Sequence, residues 1–408
     1  MRIVYHIATA FYRLGIGLAS LRSEKAKKWI AGRKDWRSKL PGPKKGKRYW
    51  FHCASLGEFE QARPLIDHYS KEGISVCITF FSPSGFEQRQ DYAQAEWVGY
   101  LPFDGRRNAE DFLNALQPDR VFFVKYEFWY QYLKACATRQ IPLFLVSARF
   151  RSSQVFFKSY GGFYRSLLTY FTHIFTQDEV SVSLLKNIGV NPVSFAGDTR
   201  FDRVAQLPLS QKEFPDIERF CAGLPTLMIG SSWPPEEALV EEIIEAYPDW
   251  KWIIVPHEVG DENIQRILTR FEGYAVRYSQ LNSTDFSALS VLVIDQVGML
   301  GQLYRLADLV MVGGGFANAL HNILEPAAWG KPVLFGPDTR KYPEGEELIQ
   351  AGGAFQVKDA EDLKTFLEKV EQGDWASTAG EASRHWIQRG IGAATKIMEQ
   401  VESLSGTK

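Results

Sequence analysis

The chain has 408 residues, and at about 150 residues per domain it is too long for a single ordinary hydrophobic core. A hydrophobic content of 45%, with 14% aromatic residues, indicates a packed globular protein and excludes a disordered chain. The four scattered cysteines form no C-x-x-C pair, which indicates buried thiols in a reducing compartment and excludes a disulfide framework.

The N-terminal segment 1–48 carries the whole positive excess of a chain whose net charge is −1. It holds 14 basic side chains against two acids, whereas the other 360 residues hold 33 against 46. Apolar residues recur at helical spacing from Ile3 to Leu21, and a basic stretch containing Trp29 and Trp36 follows. This pattern is typical of a helix on an anionic membrane surface with its basic flank in the cytoplasm. A helix packed on its own domain is the alternative, and nucleic acid binding is disfavoured because the rest of the chain is acidic.

From Tyr49 onward, short apolar runs alternate with helical patterns, which predicts parallel sheets with helices on both faces. Strands are predicted at 49–54, 75–80, 97–101, 120–125, 141–147 and 193–196, and then at 226–230, 252–256, 291–295, 309–312 and 332–335. The stretch 206–225, with three prolines and no strong apolar period, is interpreted as a linker.

We therefore expect three parts besides the linker. These are the N-terminal segment 1–48, an α/β domain at 49–205, and a second α/β domain at 226–408 whose last helix could pack back on the first domain. Two doubly wound domains that face each other form a cleft at the carboxyl ends of their strands, and ligands should bind there.

Glu58 follows the first predicted strand and begins a helical pattern. Ser55-x-x-Glu58 is a capping box, in which the glutamate accepts a hydrogen bond from the backbone N–H of the serine. A carboxylate at the tip of a strand is also where an α/β enzyme keeps a catalytic base. We expect the helix dipole to keep this carboxylate ionised at neutral pH. From the residues alone, Glu58 could act as a helix cap, as a catalytic base, or as both.

Polar side chains follow other predicted strands in both domains. Glu127, Arg149 and Arg200 do so in the first domain, and Ser231, Ser232 and His257 do so in the second. Each one fits a cap or a salt bridge by itself, but their shared placement favours a ligand site. An arginine there could bind a carboxylate or a phosphate through two hydrogen bonds.

A glycine run, Gly313-Gly314-Gly315, ends the strand predicted at 309–312, and Asn322-x-x-Glu325 then begins a helix. Glycines at a strand end let backbone N–H groups approach a phosphate, and a helix N-terminus favours its charge. Glu325, at the third helical position, could accept both hydroxyls of a ribose, although another cap explains the spacing equally well. The sequence has no G-x-G-x-x-G, P-loop, G-x-S-x-G or H-x-x-x-H motif, which disfavours dinucleotide, hydrolase and metal sites.

Taken together, these residues resemble the 3-deoxy-D-manno-octulosonic acid (Kdo) transferases of lipopolysaccharide synthesis. The resemblance runs nearly end to end, from the N-terminal helix and its basic tail through nine short stretches, at 55–58, 82–85, 101–104, 127–129, 147–149, 197–202, 306–308, 321–325 and 332–337. It implies a GT-B fold of two Rossmann-like domains. It also implies transfer of Kdo from CMP-Kdo to a lipid A precursor, with inversion and without a metal or other cofactor, at the cytoplasmic face of the inner membrane.

The resemblance also implies roles for individual residues. Glu58 matches the general base, and Glu127 and Arg200 match positions that support the transition state. The CMP-binding segments match the strand end Pro256-His257, the turn Val297-Gly298-Met299 and the stretch Asn322-Ile323-Leu324-Glu325.

The chain departs from the family pattern at a few of these positions. Arg200 stands where lysine is common, and an arginine differs from a lysine in how it donates hydrogen bonds. His257 stands in place of an arginine, Met299 in place of an acid, and Ala319-Leu320 in place of a glycine pair. These departures concern the nucleotide contacts and leave Glu58 untouched.

Two other functions stay open from the sequence. One is a GT-B enzyme that uses another sugar nucleotide, including an epimerase, which would not need the basic amphipathic N-terminus. The other is a membrane-bound binding protein without catalysis, and the presence of Glu58, Glu127 and Arg200 together argues against it.

Overall fold

Two parallel sheets of seven strands each organise the chain, which confirms the predicted α/β class. The computed structural model describes residues 2–283, 285–317 and 319–404. The chain divides into two units, one made of Met1–Arg203 with Ile391–Lys408 and the other of Val204–Gly390.

The first unit is a doubly wound sheet with helices on both faces. Its strands are β1 (Arg48–Cys53), β2 (Ser75–Phe80), β3 (Trp97–Tyr100), β4 (Arg120–Val124), β5 (Leu143–Ala148), β6 (His173–Thr176) and β7 (Val193–Phe195). Its helices up to Arg203 are α1 (Arg2–Ala19), α2 (Glu24–Gly32), α3 (Leu56–Lys71), α4 (Pro83–Arg89), α5 (Arg106–Leu116), α6 (Tyr130–Thr138), α7 (Gly162–Leu168), α8 (Glu179–Asn187) and α9 (Thr199–Val204). The strand order is β3-β2-β1-β4-β5-β6-β7, and a hydrophobic core lies on each face of the sheet.

The second unit repeats this plan. Its strands are β8 (Thr226–Ser232), β9 (Lys251–Pro256), β10 (Ala275–Arg277), β11 (Val291–Val293), β12 (Leu309–Val312), β13 (Val333–Phe335) and β14 (Ala354–Gln356), in the order β10-β11-β9-β8-β12-β13-β14. Its helices are α10 (Pro215–Cys221), α11 (Pro234–Ile243), α12 (Asp261–Arg270), α13 (Leu300–Leu303), α14 (Leu324–Ala328), α15 (Pro343–Gln350), α16 (Ala360–Glu371) and α17 (Trp375–Gly390). The last helix, α18 (Ala393–Ser403), belongs to the first unit.

Each sheet has one place where the chain connections leave in opposite directions, which we call its switch point. In the first unit β1 lies between β2 and β4, and in the second β8 lies between β9 and β12. All of these pairs are parallel, so the carboxyl ends of β1 and β4, and of β8 and β12, meet at one edge of their sheets. Ligands of doubly wound proteins bind at this edge.

All of the predicted strands are present, but β6, β10 and β14 were not predicted. β10 and β14 lie at the edges of their sheet with one buried residue each, so they lack the continuous apolar run of a buried strand. The predicted linker 206–225 differs as well, because it lies inside the second unit and contains α10. The buried side chains Ile217, Phe220 and Cys221 hold this helix in place, and a seven-residue helix is too short to recognise by its period.

The N-terminal segment contains helix α1 (Arg2–Ala19), and the membrane role predicted for it stays a prediction. One side of it packs on the first unit, where the Tyr5 hydroxyl donates a 2.6 Å hydrogen bond to the buried Asp104 and Tyr12 stacks on Phe81. Five apolar side chains, four on α1 and one just after it, are 50 to 76% exposed, and we call them its apolar stripe: Ile7, Phe11, Leu14, Leu18 and Leu21. The side chain of Ile3 lies outside the described atoms. Among the described residues, no helix is both long enough and apolar enough to cross a bilayer.

The C-terminal helix α18 is fastened to the first unit by Asp202. Its carboxylate accepts the backbone N–H groups of Gly392 (2.8 Å) and Ala394 (3.2 Å), which are free at the start of a helix. At the other end, Glu402 pairs with Arg120 on β4. The motif 197–202 therefore contributes to the packing of the chain end as well as carrying Arg200.

Candidate active site

Glu58 and Glu127 come together because they follow neighbouring strands at the switch point of the first sheet. Residues 54–58 leave the end of β1, and residues 125–127 leave the end of β4. The two carboxyl groups are close enough for the charge of Glu127 to affect the titration of Glu58. The sequence indicated both residues separately, and the strand order brings them together.

The carboxylate of Glu58 forms half of the predicted capping box. It accepts hydrogen bonds from the backbone N–H groups of Ala54 and Ser55. The Ser55 hydroxyl makes no capping bond with the described residues, so the reciprocal half is missing. Glu58 therefore caps the first turn of α3 without the help of the serine side chain.

The ionisation of Glu58 differs from the expectation. Burial, followed by the negative charge of Glu127, raises the pKa of Glu58 to about 7, while the two N–H groups and the charge of Lys125 act in the opposite direction. The expectation that the helix N-terminus keeps this group fully ionised is wrong, because the cost of burying the charge is larger than the gain from the cap. A carboxyl group with this pKa exchanges a proton near neutral pH, as a general base must.

Glu127 is held by two side-chain donors that the sequence did not reveal as partners. The indole Nε1–H of Trp129 donates to Oε2 over 2.6 Å, and Nε2 of His52 lies 3.1 Å from the same oxygen. Trp129 itself stacks on Phe81, with ring centroids 4.8 Å apart. The sequence did not indicate His52 as a site residue, because every residue of β1 is buried and the strand reads as a continuous apolar run.

Arg200 lies on α9, and Asp198 orients it. The guanidinium Nε and the backbone N–H of Arg200 each donate to the Asp198 carboxylate over 2.9 Å. The start of α9 is attached to α3, because the Thr199 hydroxyl donates a 2.6 Å hydrogen bond to the carbonyl of Gln61 and lies 3.0 Å from the Ser147 hydroxyl. The helix that bears Arg200 is thus attached to the helix that Glu58 caps.

Arg149 follows β5 and forms an ion pair with Asp178, with Nε and Oδ2 3.1 Å apart. Arg149 therefore forms a salt bridge, which is one of the roles that its position after β5 allowed.

In the second unit, Ser231, Ser232, His257 and Gly313 meet at the switch point between β8 and β12. Ser231 has a positive φ of 53°, and the Ser232 carbonyl accepts the backbone N–H of His257 over 3.1 Å. A Cβ on Gly313 would lie 2.1 Å from the Ser231 carbonyl oxygen, so only glycine fits there.

The glycine run is required for close backbone packing. A Cβ on Gly315 would lie 2.4 Å from the amide nitrogen of Gly336. The N–H of Gly313 donates to the Gly230 carbonyl (2.9 Å), and the N–H of Gly314 donates to the buried carboxylate of Glu236 (2.8 Å). Two of the three N–H groups that we expected to face a phosphate are thus bonded within the protein, and a nucleotide contact of this segment remains a prediction.

Three stacked rings occupy the edge of the second sheet. His257 stacks on Trp233 at 4.8 Å and on His321 at 4.5 Å between ring centroids, and the Trp233 indole N–H donates to His321 Nε2 over 3.0 Å. Burial, together with the neighbouring His257, lowers the pKa of His321 to about 4, so this ring is neutral at neutral pH. Trp233 was not among the predicted residues, and its place in a strand-to-helix turn is the signal that could have indicated it. His257, which stands in place of an arginine, is thus part of an aromatic stack.

The helix predicted to start near Asn322 begins two residues later. α14 starts at Leu324 with Ile323 in the cap position, and Asn322 Oδ1 accepts the backbone N–H of Leu324 over 3.2 Å. Glu325 is thus the second helical residue, and the prediction of the third position is wrong by one. The reason is that Asn322 caps from one residue farther out.

The predicted nucleotide segments 297–299 and 322–325 are neighbours in the second unit. Val297 and Gly298 form an exposed turn, in which Gly298 has a φ of 84°, and Met299 caps α13. A Cβ on Gly301 in α13 would lie 3.3 Å from Oε2 of Glu325. Pro256 ends β9 immediately before His257. In the described ranges, no group of three or more His, Cys, Asp or Glu side chains is arranged to hold a metal ion.

Comparisons with known proteins find similarity to one kind of transferase. Residues 30–203 match the family described as 3-deoxy-D-manno-octulosonic-acid transferase (kdotransferase). The 3-deoxy-D-manno-octulosonic acid transferase of Rickettsia felis is 27% identical over 331 residues, which cover 78% of this chain and 70% of that protein. The transferase of the same name from Bordetella pertussis is 27% identical over 376 residues, covering 88% and 87%.

A solved structure supports the fold independently. The putative UDP-N-acetylglucosamine 2-epimerase of Listeria monocytogenes superposes with a TM-score of 0.62 at 15% identity, covering 88% of this chain and 97% of that one. At this identity the likeness concerns the fold alone. It confirms the expected fold class, two Rossmann-like domains of the GT-B type.

Proposed function

We propose that the chain moves Kdo (3-deoxy-D-manno-octulosonic acid) from CMP-Kdo to a lipid A precursor, with inversion at the anomeric carbon, because residues 30–203 match the Kdo transferase family and transferases of that name are similar over most of their length. The enzyme class, a glycosyltransferase, follows from the same similarity. The observation that carries the proposed mechanism is the Glu58 carboxyl, whose pKa burial and Glu127 raise to about 7. A sugar hydroxyl is a poor nucleophile, and a base of this pKa is suited to take its proton.

In the proposed reaction, Glu58 takes the proton of an acceptor hydroxyl while the hydroxyl oxygen bonds to the anomeric carbon of Kdo. The bond between that carbon and the phosphate oxygen of CMP breaks, and its electron pair leaves with CMP. The positive charge that develops on the sugar ring is stabilised by the carboxylate of Glu127. The hydrogen bonds from Trp129 and His52 support this role, because they fix the carboxylate before the reaction begins.

We assign CMP to the second unit, at Pro256-His257, Val297–Met299 and Asn322–Glu325, and the growing phosphate charge to Arg200. The orientation of Arg200 by Asp198 supports this assignment, because a fixed guanidinium stabilises charge without reorganising. The adjacency of the helix after Val297–Met299 to Glu325 supports a single nucleotide site. The proposed reaction uses no metal or other cofactor.

We further propose that the enzyme works on the cytoplasmic face of the inner membrane. The acceptor is an amphiphile, and the apolar stripe of α1 gives the first unit a surface that could enter the lipid headgroups. The positive excess of residues 1–48 would favour an anionic leaflet.

The test is incubation of the purified full chain with CMP-Kdo and a tetraacylated lipid A precursor. We expect CMP release and a lipid whose mass has increased by Kdo, both dependent on the acceptor. Turnover of another sugar nucleotide in place of CMP-Kdo would support a different GT-B transferase. Binding of CMP-Kdo without CMP release, with any lipid acceptor, would support a non-catalytic binding protein and contradict the proposal.

A further inference from the structure

A chain of buried side chains in the first sheet ends at Glu127. Trp50 and His52 on β1 and Thr79 on β2 have no exposed surface. His52 and Thr79 lie directly opposite each other in the parallel register, and Trp50, two residues earlier, projects from the same face of the sheet. The Trp50 indole N–H donates to the Thr79 hydroxyl oxygen over 2.8 Å, and that oxygen lies 2.9 Å from His52 Nδ1.

The hydrogen-bond network assigns the tautomer of His52. Since Trp50 donates to the Thr79 hydroxyl, the single hydroxyl proton is free to be donated to His52 Nδ1, and the Phe51 carbonyl, another acceptor near it, is farther away at 3.5 Å. Nδ1 also lies 3.2 Å from the Thr79 carbonyl, which would accept a proton from it, so the carboxylate of Glu127 at Nε2 decides between the two tautomers. Nδ1 is then an acceptor, and the ring proton lies on Nε2. Nε2–H faces the Glu127 carboxylate over 3.1 Å, where a lone pair would be repelled.

Both donors to Glu127 converge on the same oxygen. Trp129 Nε1–H and His52 Nε2–H reach Oε2, and no hydrogen bond from the described residues reaches Oε1. This geometry fixes the direction of the carboxylate and leaves Oε1 for a ligand. Trp129 lies two residues after Glu127 in the same loop, whereas His52 is fixed by the sheet.

We propose that His52, oriented by Thr79, is a positioning residue that directs the carboxylate of Glu127 at the sugar in the transfer reaction. The proposal rests on the proposed function, since it assigns His52 a role through Glu127. A buried histidine needs only a hydrogen-bond partner to be satisfied in a core, and Thr79 alone supplies one. The second bond, to a carboxylate at the switch point, is the feature that packing does not require.

Thr79 allows a test that leaves His52 in place. Thr79→Val keeps the shape but removes the hydroxyl. The remaining neighbour of Nδ1 is the backbone carbonyl of residue 79, 3.2 Å away, which accepts a proton from Nδ1 and so competes with Glu127 for the single ring proton. Thr79→Ser keeps the hydroxyl. The matched control is Ser194→Ala, which removes the hydroxyl partner of His173, the other histidine buried in this sheet.

We expect Thr79→Val to lower kcat by about tenfold to a hundredfold, because a small misplacement of a reacting group costs up to about a hundredfold, and to change the KM for CMP-Kdo by less than about threefold. Thr79→Ser and Ser194→Ala should retain kcat within about threefold. In ¹⁵N-histidine NMR spectra of the full chain, His52 should carry its proton on Nε2 in the wild type and on Nδ1 in Thr79→Val.

Three results would overturn the inference: a wild-type His52 protonated on Nδ1, a Thr79→Val variant with normal kcat, or equal losses in Thr79→Val and Ser194→Ala. The NMR measurement on the wild type needs no variant to fold. Failure of the proposed function would show differently, as a wild type that releases no CMP with any acceptor.

Discussion

The carboxyl group of Glu127 lies close enough to that of Glu58 for its charge to add to burial in raising the pKa of Glu58 to about 7. The two groups follow adjacent parallel strands, so the sheet itself sets their separation. One carboxyl group is then suited to exchange a proton, and the other, held by two N–H donors, to keep its orientation.

Glu58→Gln should separate the cap from the base. Glutamine keeps an oxygen that can accept the N–H groups of Ala54 and Ser55, so we expect a normally folded protein. Turnover of CMP-Kdo with the lipid acceptor should fall by about a hundredfold or more, because the base is gone. Far-ultraviolet circular dichroism checks the fold. Activity like that of the wild type would show that Glu58 is a helix cap and not the base.

The pH dependence of kcat should report Glu58. A base with a pKa of about 7 is active when deprotonated, so kcat should rise through pH 7 and then level off. Glu127→Gln removes a charge that raises this pKa, and the midpoint of the residual activity should therefore move to lower pH. An unchanged midpoint in that variant would show that the two carboxyl groups are not coupled.

The same pKa predicts a cost in stability. Burial and the charge of Glu127 raise the folded-state pKa of Glu58 from 4.5 to about 7. The stabilising contribution of protonated Glu58 to the free energy of unfolding is therefore fully present below pH 4.5 and is lost as the pH rises to 7. Relative to Glu58→Gln, the wild type should lose up to about 3 kcal/mol over that window. Thermal unfolding of both proteins between pH 5 and 8 measures the difference.

Glu60 in the same helix provides the opposite control for this measurement. Burial by itself would raise the pKa of Glu60, but the guanidinium groups of Arg89, Arg63 and Arg203 outweigh it and hold this pKa below its ordinary value. The wild type should therefore gain stability relative to Glu60→Gln as the pH rises from the acid range. Parallel trends in the two variants would contradict the assignment of both shifts.

The apolar stripe of α1 should control membrane binding. Changing Leu14 and Leu18 together to glutamate places two charges where lipid contact is proposed, and binding to vesicles of phosphatidylglycerol and phosphatidylethanolamine should fall by about tenfold or more. Leu209→Glu is the matched control, because Leu209 is 78% exposed but lies in the second unit. Sedimentation with vesicles is the readout, and equal binding by the double variant would exclude the stripe as the contact.

The stacked rings allow a test of the nucleotide assignment. His257→Ala removes the ring that stacks on both Trp233 and His321, and we expect the Kd for CMP to rise by about tenfold, or about 1.4 kcal/mol. His385→Ala on the exposed side of α17 is the control and should bind CMP normally. Calorimetric titration with CMP measures both, and an unchanged Kd for His257→Ala would remove His257 from the site.

The sequence by itself determined the fold class, because buried parallel strands need continuous apolar runs and the helices between them need a 3.6-residue period. It also indicated Glu58 and Glu127 as candidate site residues, since ligands of such folds bind at the carboxyl ends of the strands. The edge strand β10 was not predicted because it has one buried residue and no continuous apolar run, and the helix α10 was not predicted because seven residues are too few to show a helical period.

The tertiary structure alone decided the chemistry of those residues. The order β2-β1-β4 placed Glu58 beside Glu127, and burial then outweighed the helix N-terminus in setting the pKa of Glu58. Only the register of β1 against β2 joined His52 to Thr79 and so to Glu127. Desolvation and charge coupling depend on distances between residues far apart in the chain, which local patterns do not contain.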